Sequence, residues 1–191
     1  MPIPYLLTTL LFTFVALLAA ADASLVSINL VSSFPALRWV RVHFVTLGIL
    51  SQVIFGLLPL LTASLAKKPR PAMRWDIWLT LNVGFVALVS GFGGMNHPMI
   101  FAGGTLIFIS ATLLLIQLWN MRGGNAPESL KFHITGVFYL LVGIIIGTGI
   151  FLNWSTALYI KVPVEAHIHA NSWGFMSLVF AGLLVDFVPM I

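Results

Sequence analysis

The chain contains no cysteine and few charged residues. Only 7% of its 191 residues are charged, with five acidic and nine basic side chains. Without cysteine there are no disulfides, thiolate metal sites, iron–sulfur clusters or haem attached through a Cys-x-x-Cys-His motif. A soluble domain carries about 25% charged residues to keep its surface hydrated. The composition therefore predicts an integral membrane protein.

Apolar residues make up 60% of the sequence. A membrane-spanning helix needs about 20 consecutive, mostly apolar residues. Six segments meet this requirement: residues 5–25, 39–65, 77–92, 99–119, 134–154 and 167–190. The first has small residues around Ala21, as a signal peptide does, but no basic residue precedes it, so we expect a retained helix. We therefore predict an all-α membrane protein, a six-transmembrane-helix bundle forming one transmembrane domain over residues 1–191.

Basic residues in the loops predict the orientation of the spans. The side that holds both termini carries six of them: Lys67, Lys68, Arg70, Arg74, Arg122 and Lys131. The opposite side carries three: Arg38, Arg41 and Lys161. Because basic loop residues concentrate in the cytoplasm, we expect cytoplasmic termini and a multi-pass location in a prokaryotic inner or plasma membrane. The net charge of +4 then reflects topology and contact with membrane lipid, and nucleic acid is not expected as a partner.

Histidines cluster at one predicted membrane depth. Four of the five lie near the start of a span on the same side: His43, His97, His167 and His169. His133 lies on the opposite side. A hydrogen bond to a headgroup or carbonyl explains one such histidine, but ionisable groups in spans usually mark functional sites. Imidazole is a common axial ligand of haem iron, so the pattern favours a haem or metal site.

The pair His167 and His169 is spaced so that its members diverge. Residues two apart on an α-helix point about 200° away from each other. The two rings are therefore unsuited to one metal ion. Either they serve two centres on opposite sides of the helix, or one serves a centre and the other makes a structural hydrogen bond.

An internal repeat relates the second and sixth spans. Residues 43–58 and 169–184 align without a gap and share seven of sixteen residues. The most informative matches pair His43 with His169, Gly48 with Gly174, Ser51 with Ser177 and Gly56 with Gly182. The glycine five residues after each histidine provides either a flat surface for a porphyrin or a close helix contact.

Two segments around these histidines resemble a known family. The segment EAHIHANSWGF, residues 165–175, resembles the His-x-His helix of the haem–copper oxidase catalytic subunit, and is closest to the oxygen- and nitric-oxide-reducing branches and their short relatives. The segment RVHFVTLG, residues 41–48, is similar to that family's second helix. The resemblance implies that His43 and His169 are the axial ligands of a low-spin haem b. It also implies that His167 faces a second centre, which is a high-spin haem in the family.

The resemblance also bears on copper and on the nearby arginines. The family's copper site requires an adjacent His-His pair, which this chain lacks, although His97-Pro98 is similar to the start of the copper-bearing helix. The isolated chain is therefore not expected to be an oxygen- or nitric-oxide-reducing enzyme. Arg38 and Arg41 are candidates for pairing with haem propionates, because guanidinium groups suit carboxylates. Anchoring at the membrane interface is the alternative role.

Three functions fit the sequence. The first is a haem-b protein of electron transfer or diatomic-gas (O2 or NO) chemistry, with an electron donor that the residues do not identify. The second is an accessory or structural subunit of a larger membrane complex, because short loops leave little surface for soluble partners. The third is a small proton- or metal-coupled transporter, for which Pro59 and Gly103-Gly104 would interrupt helices. A homo-oligomer or other membrane subunits are the expected protein partners.

Overall fold

The computed structural model describes residues 1–32 and 36–188. All regular structure in these residues is helical, and six of the helices are long and apolar enough to cross a membrane. They are α1 (Ile3–Ser27), α2 (Leu37–Leu65), α3 (Trp75–Gly93), α4 (His97–Trp119), α5 (Leu130–Leu152) and α6 (Pro163–Phe187). The all-α class and the six spans are confirmed. The predicted end of the sixth span, at residue 190, lies outside the described residues.

Two helix ends differ by two residues from the predicted ends, because asparagine residues determine where these helices begin or stop. The helix α4 starts two residues before the predicted residue 99, because the Asn96 side chain accepts a hydrogen bond from the Met99 amide at 3.1 Å. Such a cap satisfies a backbone donor that the helix itself leaves unpaired. The helix α5 ends at Leu152, two residues before the predicted end, because Asn153 adopts a left-handed conformation with a φ of 59°.

The chain forms two compact units, which are Met1–Leu57 and Leu58–Ile191. In the first unit, α1 packs against the first half of α2. Phe12 meets Phe44 edge-on at 5.8 Å between ring centroids, and the Thr8 hydroxyl lies 3.2 Å from the Gln52 side-chain oxygen. Phe12 and Gln52 are buried, so these contacts fix the part of α2 that follows His43.

In the second unit, α3, α4, α5 and α6 pack in chain order. Glycines allow α3 and α4 to approach closely: a Cβ atom on Gly103 would lie 2.6 Å from the Leu88 backbone nitrogen. The buried Ser110 hydroxyl donates to the Ile77 carbonyl oxygen at 2.9 Å and links the same two helices. Small residues and interhelical hydrogen bonds are the usual means of association in a bilayer.

The helices α5 and α6 are antiparallel, and glycines mark their contact. Four contacts define the register: Gly182 with His133, Gly174 with Tyr139, Gly143 with Asn171, and Gly147 with His167. His133 and His167 therefore lie at opposite ends of this helix pair. Fourteen residues of α5 separate their contact points, which is about 21 Å along the axis.

Candidate functional site

Two π-helical turns interrupt the spans that carry the candidate haem ligands. In α2, residues Phe44–Leu50 form a π-helix directly after His43. In α6, residues Ala170–Met176 form a π-helix directly after His169. Each turn has seven residues, and the same offset that aligns the histidines aligns the turns. The repeated sequence therefore encodes a repeated backbone conformation.

The same side-chain hydrogen bond closes both π-turns. The hydroxyl of Ser51 donates to the Thr46 carbonyl oxygen, five residues earlier, at 2.9 Å. The hydroxyl of Ser177 donates to the Ser172 carbonyl oxygen at the same distance. In each case the backbone N–H of the same serine bonds that carbonyl too. Single π-turns are rare and occur often at functional sites.

His43 is held in one tautomer and one orientation. Its Nδ1 lies 2.8 Å from the Trp39 carbonyl oxygen, and its ring stacks on the Trp39 indole with 3.8 Å between centroids. A carbonyl oxygen only accepts, so Nδ1 must carry the proton and the ring's lone pair is on Nε2. Histidines that bind metals usually donate their other ring N–H in this way.

His167 and His169 occupy different environments, as their spacing predicts. The ring of His167 is half-buried against α5, where its Nδ1 donates to the Gly143 carbonyl oxygen at 2.8 Å. A Cβ atom on Gly147 would lie 2.5 Å from the His167 ring, so the ring fills the notch at that glycine. The side chain of His169 is exposed. This bond leaves the lone pair of His167 on Nε2, as in His43, and is compatible with both alternatives that the spacing left open.

Gly48 and Gly174, the glycines five residues after His43 and His169, are both buried. The surface at Gly174 is not open to a porphyrin, however. A Cβ atom there would lie 2.5 Å from the Tyr139 ring, which already occupies the space beside it. This contact favours close helix packing over a porphyrin surface as the reason for Gly174. Gly48 is buried within the first unit.

Arg38 and Arg41 line a groove on α2. The groove has a volume of about 460 Å³, and Val42, Val45 and Thr46 complete its lining. The Nε atom of Arg41 is buried and has no hydrogen-bond partner. On an α-helix, Arg38 and Arg41 lie about 140° and 160° around the axis from His43. Both arginines therefore lie on a different face of α2 from the His43 ring.

His97 is exposed at the first turn of α4. Within residues 1–32 and 36–188, no three His, Asp or Glu side chains are grouped so that they could hold a metal ion. The candidate copper ligand His97 therefore has no ligand set around it in that part of the chain.

His133, which the sequence predicts on the side opposite the other four histidines, is a buried polar residue. It lies one turn inside α5 and is fully buried. Neither ring nitrogen has a hydrogen-bond partner. A sequence signal for this environment is Gly182, whose missing side chain leaves room for the ring.

Comparison with known proteins adds no relative from which a function could be transferred. No family model, no curated protein and no solved structure matches this chain. Its chemistry is therefore inferred from its own residues, above all from the two histidines that precede matching π-turns.

Proposed function

We propose that the chain is a haem-b-binding integral membrane protein of electron transfer or diatomic-gas chemistry, in which His43 and His169 are the two axial ligands of one haem. The observation that carries this proposal is the repeated histidine and π-turn in α2 and α6. Two histidines at matching positions of two repeated helices would supply the two imidazole ligands that such a haem takes.

The donor atoms fit the requirements of the iron. In His43, donation from Nδ1 to the Trp39 carbonyl leaves the lone pair on Nε2, the tautomer that coordinates iron. In His169, the exposed ring leaves access to its nitrogens. The two histidines belong to different units, and each supports the proposal through its own local geometry.

A haem held by His43 and His169 would supply one-electron transfer. The roles of this chain's residues are then to bind and orient. Trp39 holds the plane of the His43 ring by stacking, and the serine-closed π-turns fix the backbone after each ligand. Binding of O2 or NO would require a second centre with an open position, for which His167 is the candidate ligand.

The proposal includes the setting of the protein. We place both termini in the cytoplasm of a prokaryotic cell, because six basic loop residues lie on the side of the termini and three on the other. Anionic lipid is the partner that suits the groove at Arg38 and Arg41, because guanidinium groups bind phosphate in bidentate fashion.

An absorption spectrum of the purified protein, oxidised and then reduced with dithionite, tests the proposal. We expect a Soret band and the sharp reduced bands of a six-coordinate haem b. His43→Ala and His169→Ala should each lose the six-coordinate spectrum, whereas the matched control His97→Ala should keep it. If all three variants keep the six-coordinate spectrum, other residues bind the haem.

A further inference from the structure

The end of the second unit where α5 begins contains buried polar atoms that the haem proposal does not use. His133 is fully buried, and both of its ring nitrogens lack a hydrogen-bond partner. The Oδ2 atom of Asp186, on α6, is also buried without a partner, and so is the hydroxyl of Ser129, one helical turn before His133. Buried polar atoms without partners are rare in folded proteins, so each of them calls for an explanation.

The His133 ring fits into a space between α5 and α6. A Cβ atom on Gly182 would lie 2.5 Å from the His133 Nε2 atom, so the glycine creates the space that the ring fills. Asp186 lies four residues after Gly182, about one helical turn further along the same face of α6. The other charged groups at the start of α5, Glu128 and Lys131, pair with each other at 2.9 Å and are exposed.

From these observations we propose that His133 and Asp186 form a proton-binding site inside the helix pair, separate from the haem ligands. A proton delivered by a hydronium ion adds to the lone pair of the imidazole and leaves a water molecule behind. The resulting imidazolium is balanced by the Asp186 carboxylate, and no electron is transferred. A buried imidazolium alone would be costly, so the carboxylate is what makes protonation feasible.

A proton suits this site better than a metal ion does. The proposed site has one imidazole and one carboxylate, and within the described residues no three His, Asp or Glu side chains are grouped so that they could hold a metal ion. Structural and catalytic metal sites use three or four protein ligands. The exposed Glu128 lies five residues before His133, so the site is near the end of the span rather than at its middle.

The site is tested by following histidine protonation with ¹⁵N-histidine NMR of the whole protein in lipid nanodiscs between pH 4.5 and 8.5. The His133 signal is identified by its loss in His133→Gln, or by its contact with Gly182 if that variant does not fold. We expect His133 to titrate in this range. In Asp186→Asn the protonated fraction should fall about tenfold or more at the same pH, because the balancing charge is gone.

Glu128→Gln is the matched control, because it also converts a carboxylate at this end of the unit to an amide. It should leave the His133 titration unchanged. The proposal is overturned if His133 does not titrate, or if Asp186→Asn and Glu128→Gln have the same effect. The haem spectrum plays no part in this readout, so the two proposals fail independently.

Discussion

At the scale of single residues, hydrogen bonds to backbone carbonyls decide what the histidines can do. His43 donates to the carbonyl of its own helix, and His167 donates to Gly143 on the neighbouring helix. Both rings therefore have the proton on Nδ1. The two histidines differ in their surroundings. The His167 ring fills the space left by the missing side chain of Gly147 on α5, where it also contributes to helix packing.

A side chain at position 147, beside the His167 ring, should destabilise the second unit. In Gly147→Ala the new methyl group would lie 2.5 Å from the His167 ring, so the ring must move and its bond to Gly143 is strained. We expect a loss of about 1–3 kcal/mol in the free energy of unfolding, as overpacking costs elsewhere. Denaturation in mixed micelles measures it. Gly94→Ala is the control, because its Cβ would meet nothing closer than 3.7 Å; equal losses in both variants would refute the packing role.

At the scale of elements, the π-turns are the feature that pattern analysis missed. Apolar periodicity predicts that a helix is present, but an α-turn and a π-turn bury similar residues, so it does not distinguish them. The spacing of histidine, glycine and serine in residues 43–51 and 169–177 was visible in the sequence. Its meaning became clear only when both serines were found to bond the carbonyl five residues earlier.

Removal of these serine hydroxyls should loosen the π-turns. Ser51→Ala and Ser177→Ala each delete one hydrogen bond, which is worth about 0.5–1.5 kcal/mol of stability. If the turns orient the ligands, the variants should also bind haem more weakly in a spectrophotometric titration.

Thr112→Ala is the control for the serine variants, because its hydroxyl bonds an ordinary helical carbonyl four residues back. It should lose a similar amount of stability without a change in haem affinity. If it weakens haem binding as much as the serine variants do, the π-turns have no special role.

At the scale of the whole molecule, hydropathy predicted the six spans, and local chemistry shifted their ends by a few residues. The burial of His133 was not predictable, because residue 133 is only one residue before the predicted span 134–154 and its environment depends on Gly182. The division into two units was not predictable from hydropathy either, because the boundary falls inside the continuous helix α2.

The orientation in the membrane can be tested because the chain has no cysteine. Single cysteines at Lys68 and Lys161 report two loops that are predicted to lie on opposite sides. In intact cells, a membrane-impermeant thiol reagent should label Lys161→Cys and leave Lys68→Cys unlabelled until the cells are opened. The reverse pattern would place the termini outside the cytoplasm.

The central claim is that His43 and His169 bind the same haem iron, and electron paramagnetic resonance of the ferric protein tests it most directly. We predict the low-spin signal of an iron with two imidazole ligands, at one haem per chain. In His169→Ala this signal should convert to the high-spin signal of an iron with one ligand, and imidazole added to the solution should restore the low-spin form. A wild-type protein that takes up no haem, or whose haem is high-spin from the outset, would contradict the claim.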